Sequence, residues 1–133
     1  IGVSYQQLID ACGGLTRDAG RVVAGGPMMG FTIGQLDTPV TKGTSGLTVL
    51  THDEIHRAAE TACIRCGRCV DVCPINLVPT RIALAARAGN RGLAQRYYAS
   101  ACMDCGCCAY ECPAAIPLVP LIRVAKVMLR SGK

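Results

Sequence analysis

A cysteine pattern that occurs twice constrains this chain more than any other feature. Cys63, Cys66, Cys69, Cys73 and Pro74 recur 39 residues later as Cys102, Cys105, Cys108, Cys112 and Pro113, with Gly67 and Gly106 in register. Six of the twelve positions from 63 to 74 are identical in the second copy, which a duplication explains most simply. Such a fold must bring three closely spaced thiols around one point, twice over, and must leave room for what they hold.

Each copy reads C-x-x-C-x-x-C-x-x-x-C-P, the run in which three thiolates hold one 4Fe-4S cubane and the fourth reaches a second cubane. The backbone then curls around the cluster and aims amide N–H groups at its sulfides, and a glycine after the second cysteine permits the close approach and positive φ this needs. Gly67 and Gly106 stand there. Proline after the fourth cysteine favours an extended backbone at that cysteine, which turns its thiolate toward the neighbouring site. The expected ligand sets are therefore crossed: Cys63, Cys66, Cys69 and Cys112 for one 4Fe-4S cluster, and Cys102, Cys105, Cys108 and Cys73 for the other. Zinc sites favour paired C-x-x-C knuckles, which this is not. Disulfides imply secretion, and no signal-peptide pattern precedes the cysteines, so a reducing cytosol is the consistent compartment.

Bulk composition agrees. Of 133 residues 50% are hydrophobic but only 4% aromatic, with no Trp, so side-chain volume is scarce and a non-protein group can help fill the core. The formal charge of +5 suggests a polyanionic partner. Two oxidised clusters with four thiolates each remove about four charges, leaving the domain near neutrality, so no nucleic-acid partner is expected. The most apolar stretch, 113–129, is broken by Pro117, Pro120, Arg123 and Lys126 and is shorter than the roughly 20 residues of a membrane span.

The two copies differ in charge. Arg65 and Arg68 against Asp71 leave the first at +1, whereas Asp104 and Glu111 leave the second at −2. Positive charge stabilises the reduced form of a cluster, so the cluster on Cys63, Cys66 and Cys69 is expected to have the higher potential, tuned by Arg65 and Arg68.

Ten of the fifteen Gly lie in the first fifty residues and nine of the ten Cys between 63 and 112, a composition shift that divides the chain. In the first part, 5–11 reads as a short helix, and 21–24 and 47–51 as strands. Thr51 and Glu54 form a capping-box pattern that starts a helix over 52–61. Further helices are expected at 79–88, after an Asn90 cap, and as an amphipathic C-terminal helix carrying Leu118, Leu121, Ile122 and Val124.

Other motifs are weaker. Cys107 falls at the repeat position of Arg68 and is not expected to be a ligand; Cys12 reads as a buried small side chain. His52 and His56 lack the H-E-x-x-H order of a zinc helix, and 25–30 and 43–46 lack nucleotide-binding spacing and read as turns.

Taken together, Arg21-Val-Val-Ala-Gly-Gly-Pro-Met-Met-Gly30, the run Pro39-Val-Thr-Lys-Gly-Thr-Ser-Gly46 and the first cysteine motif resemble RnfC (RsxC), the C component of the Rnf (Rsx) ion-translocating ferredoxin:NAD oxidoreductase complexes. The resemblance implies an α+β chain: a partial β-grasp (soluble-ligand-binding) module over 1–55, then a mainly helical two-cluster ferredoxin domain over 56–133. It also implies an electron relay within a translocase, with the FMN and NADH site on a domain upstream of Ile1. Partners would be the other subunits of the complex, with ferredoxin as a further one, at the cytoplasmic face of a bacterial or archaeal membrane. A charged fraction of 17% suits a surface covered by partners. Two alternatives share the cysteine pattern. A succinate-dehydrogenase-like or heterodisulfide-reductase-like subunit leaves the first fifty residues unexplained, and a free ferredoxin-type carrier is usually shorter and acidic.

Overall fold

The computed structural model describes residues 1–55 and 58–131. The chain divides into two compact units, Ile1–Arg57 and Ala58–Lys133.

The first unit opens with helix α1, Tyr5–Ala11, whose start is fixed by a reciprocal capping box between Ser4 and Gln7. Three strands follow: β1 (Arg21–Ala24), β2 (Phe31–Thr32) and β3 (Leu47–Leu50). They make an antiparallel sheet in the order β2-β1-β3, with Val22 opposite Val49 and Val23 opposite Thr32. β1 is central and buries Val22, Val23 and Ala24, while Tyr5 and Ile9 of α1 are also buried. The turn at 25–30 returns close beneath β1. A Cβ at Gly30 would lie 2.6 Å from the carbonyl oxygen of Gly26 and 2.7 Å from that of Ala24, so no larger residue fits there.

Two expectations for this unit are corrected. Residues 52–54 form a bend and turn, and 58–61 carry no helix; His56 lies outside the described residues. The Thr51 hydroxyl and amide both donate to the Glu54 carboxylate, at 2.9 and 2.8 Å, while the Glu54 amide donates to the Thr51 carbonyl and closes a turn. The Thr61 amide bonds instead to the carbonyl of Ala114, a partner outside any local helix. Cys12 is exposed rather than buried, because it is the C-cap of α1 and is followed at once by the turn at Gly13 and Gly14.

The second unit is helical: α2 (Arg68–Asp71), α3 (Pro79–Arg87), α4 (Arg91–Arg96), a 3-10 turn at Ala99–Ala101, α5 (Cys107–Tyr110) and α6 (Leu118–Arg130). Asn90 caps α4 by accepting from the Leu93 amide at 2.8 Å. The core holds Ile82, Leu118 and Ile122 with Ala85, Ala94, Ala99 and Ala125, all essentially inaccessible. Alanine at four of these positions lets α3, α4 and α6 approach closely, which is how a chain poor in large side chains reaches native packing.

Duplication extends beyond the cysteines. α2 and α5 occupy equivalent residues, and α3 and α6 start 39 residues apart. Left-handed backbone recurs in register at Arg65 and Asp104 (both φ 57°), Gly67 and Gly106 (82° and 87°), and Asn76 and Ala115 (53° and 50°). Recurrence of that conformation at non-glycine residues, which disfavour it, marks two copies of one loop wound around a common shape.

Candidate metal centres

In each copy the chain reverses at the left-handed residue between the first two cysteines and again at the glycine that caps α2 or α5. These reversals bring the three cysteines of each copy to the wall of one cavity. Cys69 and Cys108, on the first turns of α2 and α5, are buried; Cys63 and Cys66 are exposed, and Cys73, Cys102, Cys105 and Cys112 are partly buried.

Two cavities result. One is lined by Cys63, Cys66 and Cys69 together with Cys112, and by Arg65, Thr80 and Leu84; it opens to solvent and encloses about 530 Å³. The other is lined by Cys102, Cys105 and Cys108 together with Cys73, between the apolar walls of Leu77, Ile82, Val119 and Ile122. Its free space is about 20 Å³, the room of a single water, so a larger group seated there requires the surrounding side chains to yield. Each cavity thus gathers three cysteines of one copy and the fourth of the other. Among the described residues no three His, Cys, Asp or Glu side chains converge as they would on a single metal ion. Four thiols ringing a space suit the donor chemistry of an iron-sulfur cluster. Backbone N–H groups also point at sulfur: Leu77 donates to Cys73 Sγ at 3.3 Å and Asp104 to Cys102 Sγ at 3.4 Å.

The 4Fe-4S dicluster domain family matches residues 62–116. The C component of an ion-translocating oxidoreductase complex from Methanosarcina acetivorans is 46% identical over 132 residues, 99% of this chain and 30% of that protein. The C component of a Na(+)-translocating ferredoxin:NAD(+) oxidoreductase complex from Acetobacterium woodii is 52% identical over 83 residues, 62% of this chain and 19% of its own length. The equivalent component from Rhodobacter capsulatus is 43% identical over 90 residues, 68% of this chain and 17% of that protein. The chain belongs to this family of C components of ion-translocating oxidoreductase complexes. It spans less than a third of the length of these curated relatives.

Within the dicluster domain, burial sets the chemistry of the thiols. Burial pushes the Cys108 thiol up to about 11, with the charges of Cys102 and Cys105 adding to it. Burial also raises Cys69, but there the backbone N–H and hydroxyl of Thr80 donate to the sulfur and oppose the shift. Cys102 is raised by burial too. Without metal these thiols keep their protons, and binding a cluster must expel them. Cys107 lines neither cavity; its thiol is raised first by a hydrogen bond with Cys105.

The charges between the ligands are arranged differently from their order in the sequence. Arg65 lines the first cavity, as expected of a tuning residue. Arg68 lines a shallow surface recess with Asp71 and Glu111 instead. Asp104 is held by two cations from α6, Lys126 at 2.9 Å and Arg123 at 3.5 Å. Burial opposes ionisation of Asp104, yet the hydrogen bond and charge of Lys126, aided by Arg123, keep its carboxyl below the usual carboxylate range. Counting charges inside the motif therefore overstates the negative charge at the second cavity. Thr80, Arg123 and Lys126 escaped sequence reasoning. The only available signal was the spacing of Arg123 and Lys126 by one helical turn on the polar side of an apolar helix. Among the described residues no helix is long and apolar enough to cross a membrane.

Proposed function

We propose that this chain is the electron-relay portion of a membrane-associated ferredoxin:NAD oxidoreductase complex. Its dicluster domain would hold one 4Fe-4S cluster on Cys63, Cys66, Cys69 and Cys112 and a second on Cys102, Cys105, Cys108 and Cys73. The observation that carries this reading is the pair of thiol-lined cavities, each completed by a cysteine from the other copy. When bound, each cluster can take up and give back one electron at a time.

The chain's own residues would do the rest. The crossed cysteines fix the spacing of the two sites and tie both copies into one domain. Leu77 and Asp104 aim amide dipoles at ligand sulfurs, and Thr80 donates to Cys69. Ile82, Val119 and Ile122 keep water from the second site; the first remains accessible at Cys63 and Cys66. Arg65, at the wall of the first site, would favour its reduced state, with Arg68 acting from outside the cavity beside Asp71 and Glu111 and Gly67 and Gly106 admitting the backbone close to both sites.

In the relatives' printed names the complex joins ferredoxin to NAD(+) and moves an ion. For this protein we infer the same setting: FMN and NADH on a domain outside the present sequence, membrane subunits as electron partners with ferredoxin beyond them, and a peripheral place on the cytoplasmic side. The first unit, with its three-stranded antiparallel sheet and one helix, would be part of a β-grasp module over 1–55, followed by the ferredoxin domain over 56–133.

Anaerobic iron and sulfide analysis with electron paramagnetic resonance during reductive titration tests this. About eight irons per chain with interacting signals on full reduction are expected. Four irons or fewer, or zinc in their place, would overturn it.

A further inference from the structure

We propose that Lys126, on α6 and outside the cysteine motifs, is the residue that positions the second cluster loop and sets the potential of the site it forms. The inference rests on the two-cluster reading above. Lys126 is largely buried, at 17% side-chain exposure, and its ammonium bridges both ends of one turn. It donates to the Cys102 carbonyl at 2.6 Å and to Asp104 Oδ1 at 2.9 Å. Asp104 is the left-handed residue of that turn, and its amide donates to Cys102 Sγ. One side chain thus staples the Cys102–Cys105 loop to a helix and fixes the residue whose N–H faces a ligand sulfur.

The corresponding device is absent from the first copy. Repeat register places Arg87 opposite Lys126 and Arg65 opposite Asp104, and Arg87 pairs with Glu60 instead. The first loop therefore carries its cation within the motif, whereas the second imports one from α6. With Arg123 also at Asp104, the two cations of α6 offset the two acidic charges of the second motif. A buried cation is little screened by solvent and favours the extra electron of a reduced site.

Lys126→Met keeps the apolar stem and removes the charge. In the cluster-loaded protein, potentiometric titration followed by electron paramagnetic resonance should show one midpoint lowered and the other unmoved. A tenfold loss in the reduction equilibrium is expected, about 59 mV for a one-electron couple. Lys126→Arg should recover most of it. Asp104→Asn should move the same midpoint upward, and it serves as the test if Lys126→Met does not retain its iron. Unmoved midpoints in iron-replete Lys126→Met, or in Asp104→Asn where that variant stands in, would overturn the role of Lys126. Failure of the unsubstituted protein to bind two clusters would overturn the parent reading instead.

Discussion

Thr80 and Val119 occupy the same position in the two copies, one placing a hydroxyl against the first thiol-lined cavity and the other methyl groups against the second. The hydroxyl donates to Cys69, while burial raises its counterpart Cys108 to about 11. Hydrogen bonds to ligand sulfur raise a cluster's potential. Thr80→Val should therefore lower one midpoint by about fivefold in the reduction equilibrium, the worth of one hydrogen bond of about 1 kcal/mol. Val119→Thr should raise the other. Redox titration of both variants checks this, and equal movement of both midpoints in either variant would refute it.

A pH effect is expected far from the cysteines. The Thr51 amide and hydroxyl donate to the Glu54 carboxylate and hold its pKa below the usual value. A carboxyl depressed in the folded state adds stability above its unfolded pKa and loses it as pH falls through the folded one. In nuclear magnetic resonance, the Thr51 amide shift should titrate with a midpoint below that of free glutamate. Glu54→Gln should abolish that titration while leaving β3 in place.

How far the sequence carries depends on whether a residue's partners are local. The two cysteine copies were legible because a fixed offset and invariant residue types need no tertiary information. Asn90 marked the start of α4 for the same reason. Thr51 and Glu54 misled because the pairing they make closes a turn, and the helix expected after it lost to a long-range bond between Thr61 and Ala114. Phe31–Thr32 is too short for any alternation to show. Lys126 was invisible as part of the site because its partner Asp104 is 22 residues away and only the packing of α6 brings them together.

Glycines in the second unit should separate by backbone conformation rather than by space. At Gly67, φ is 82° and the nearest protein atom to an added Cβ is the Asp71 carboxylate at 4.0 Å, so in the metal-free protein Gly67→Ala should cost only the left-handed conformation, about 1–2 kcal/mol. Gly92 lies inside α4, where an added Cβ meets Asn90 Oδ1 at an ordinary 3.6 Å. There Gly92→Ala should stabilise by about 0.5–1 kcal/mol by reducing the freedom of the unfolded chain. Thermal unfolding of the two variants should move in opposite directions. A shared direction would mean that the φ at Gly67 does not set its cost.

The sharpest test of the crossed arrangement combines two substitutions. Cys112 stands in the second copy of the sequence but lines the cavity of Cys63, Cys66 and Cys69, and Cys73 lines that of the second triplet. Cys112→Ala and Cys73→Ala should each lose about half of the iron, since each removes one of the four ligands of a single cluster. The surviving cluster then reveals which site was lost. Thr80 reaches only the first cavity, so adding Thr80→Val should shift the remaining midpoint in Cys73→Ala and leave it unmoved in Cys112→Ala. An uncrossed arrangement, in which each copy completes its own site, gives the opposite result, because Cys73→Ala would then eliminate the cluster that Thr80 touches.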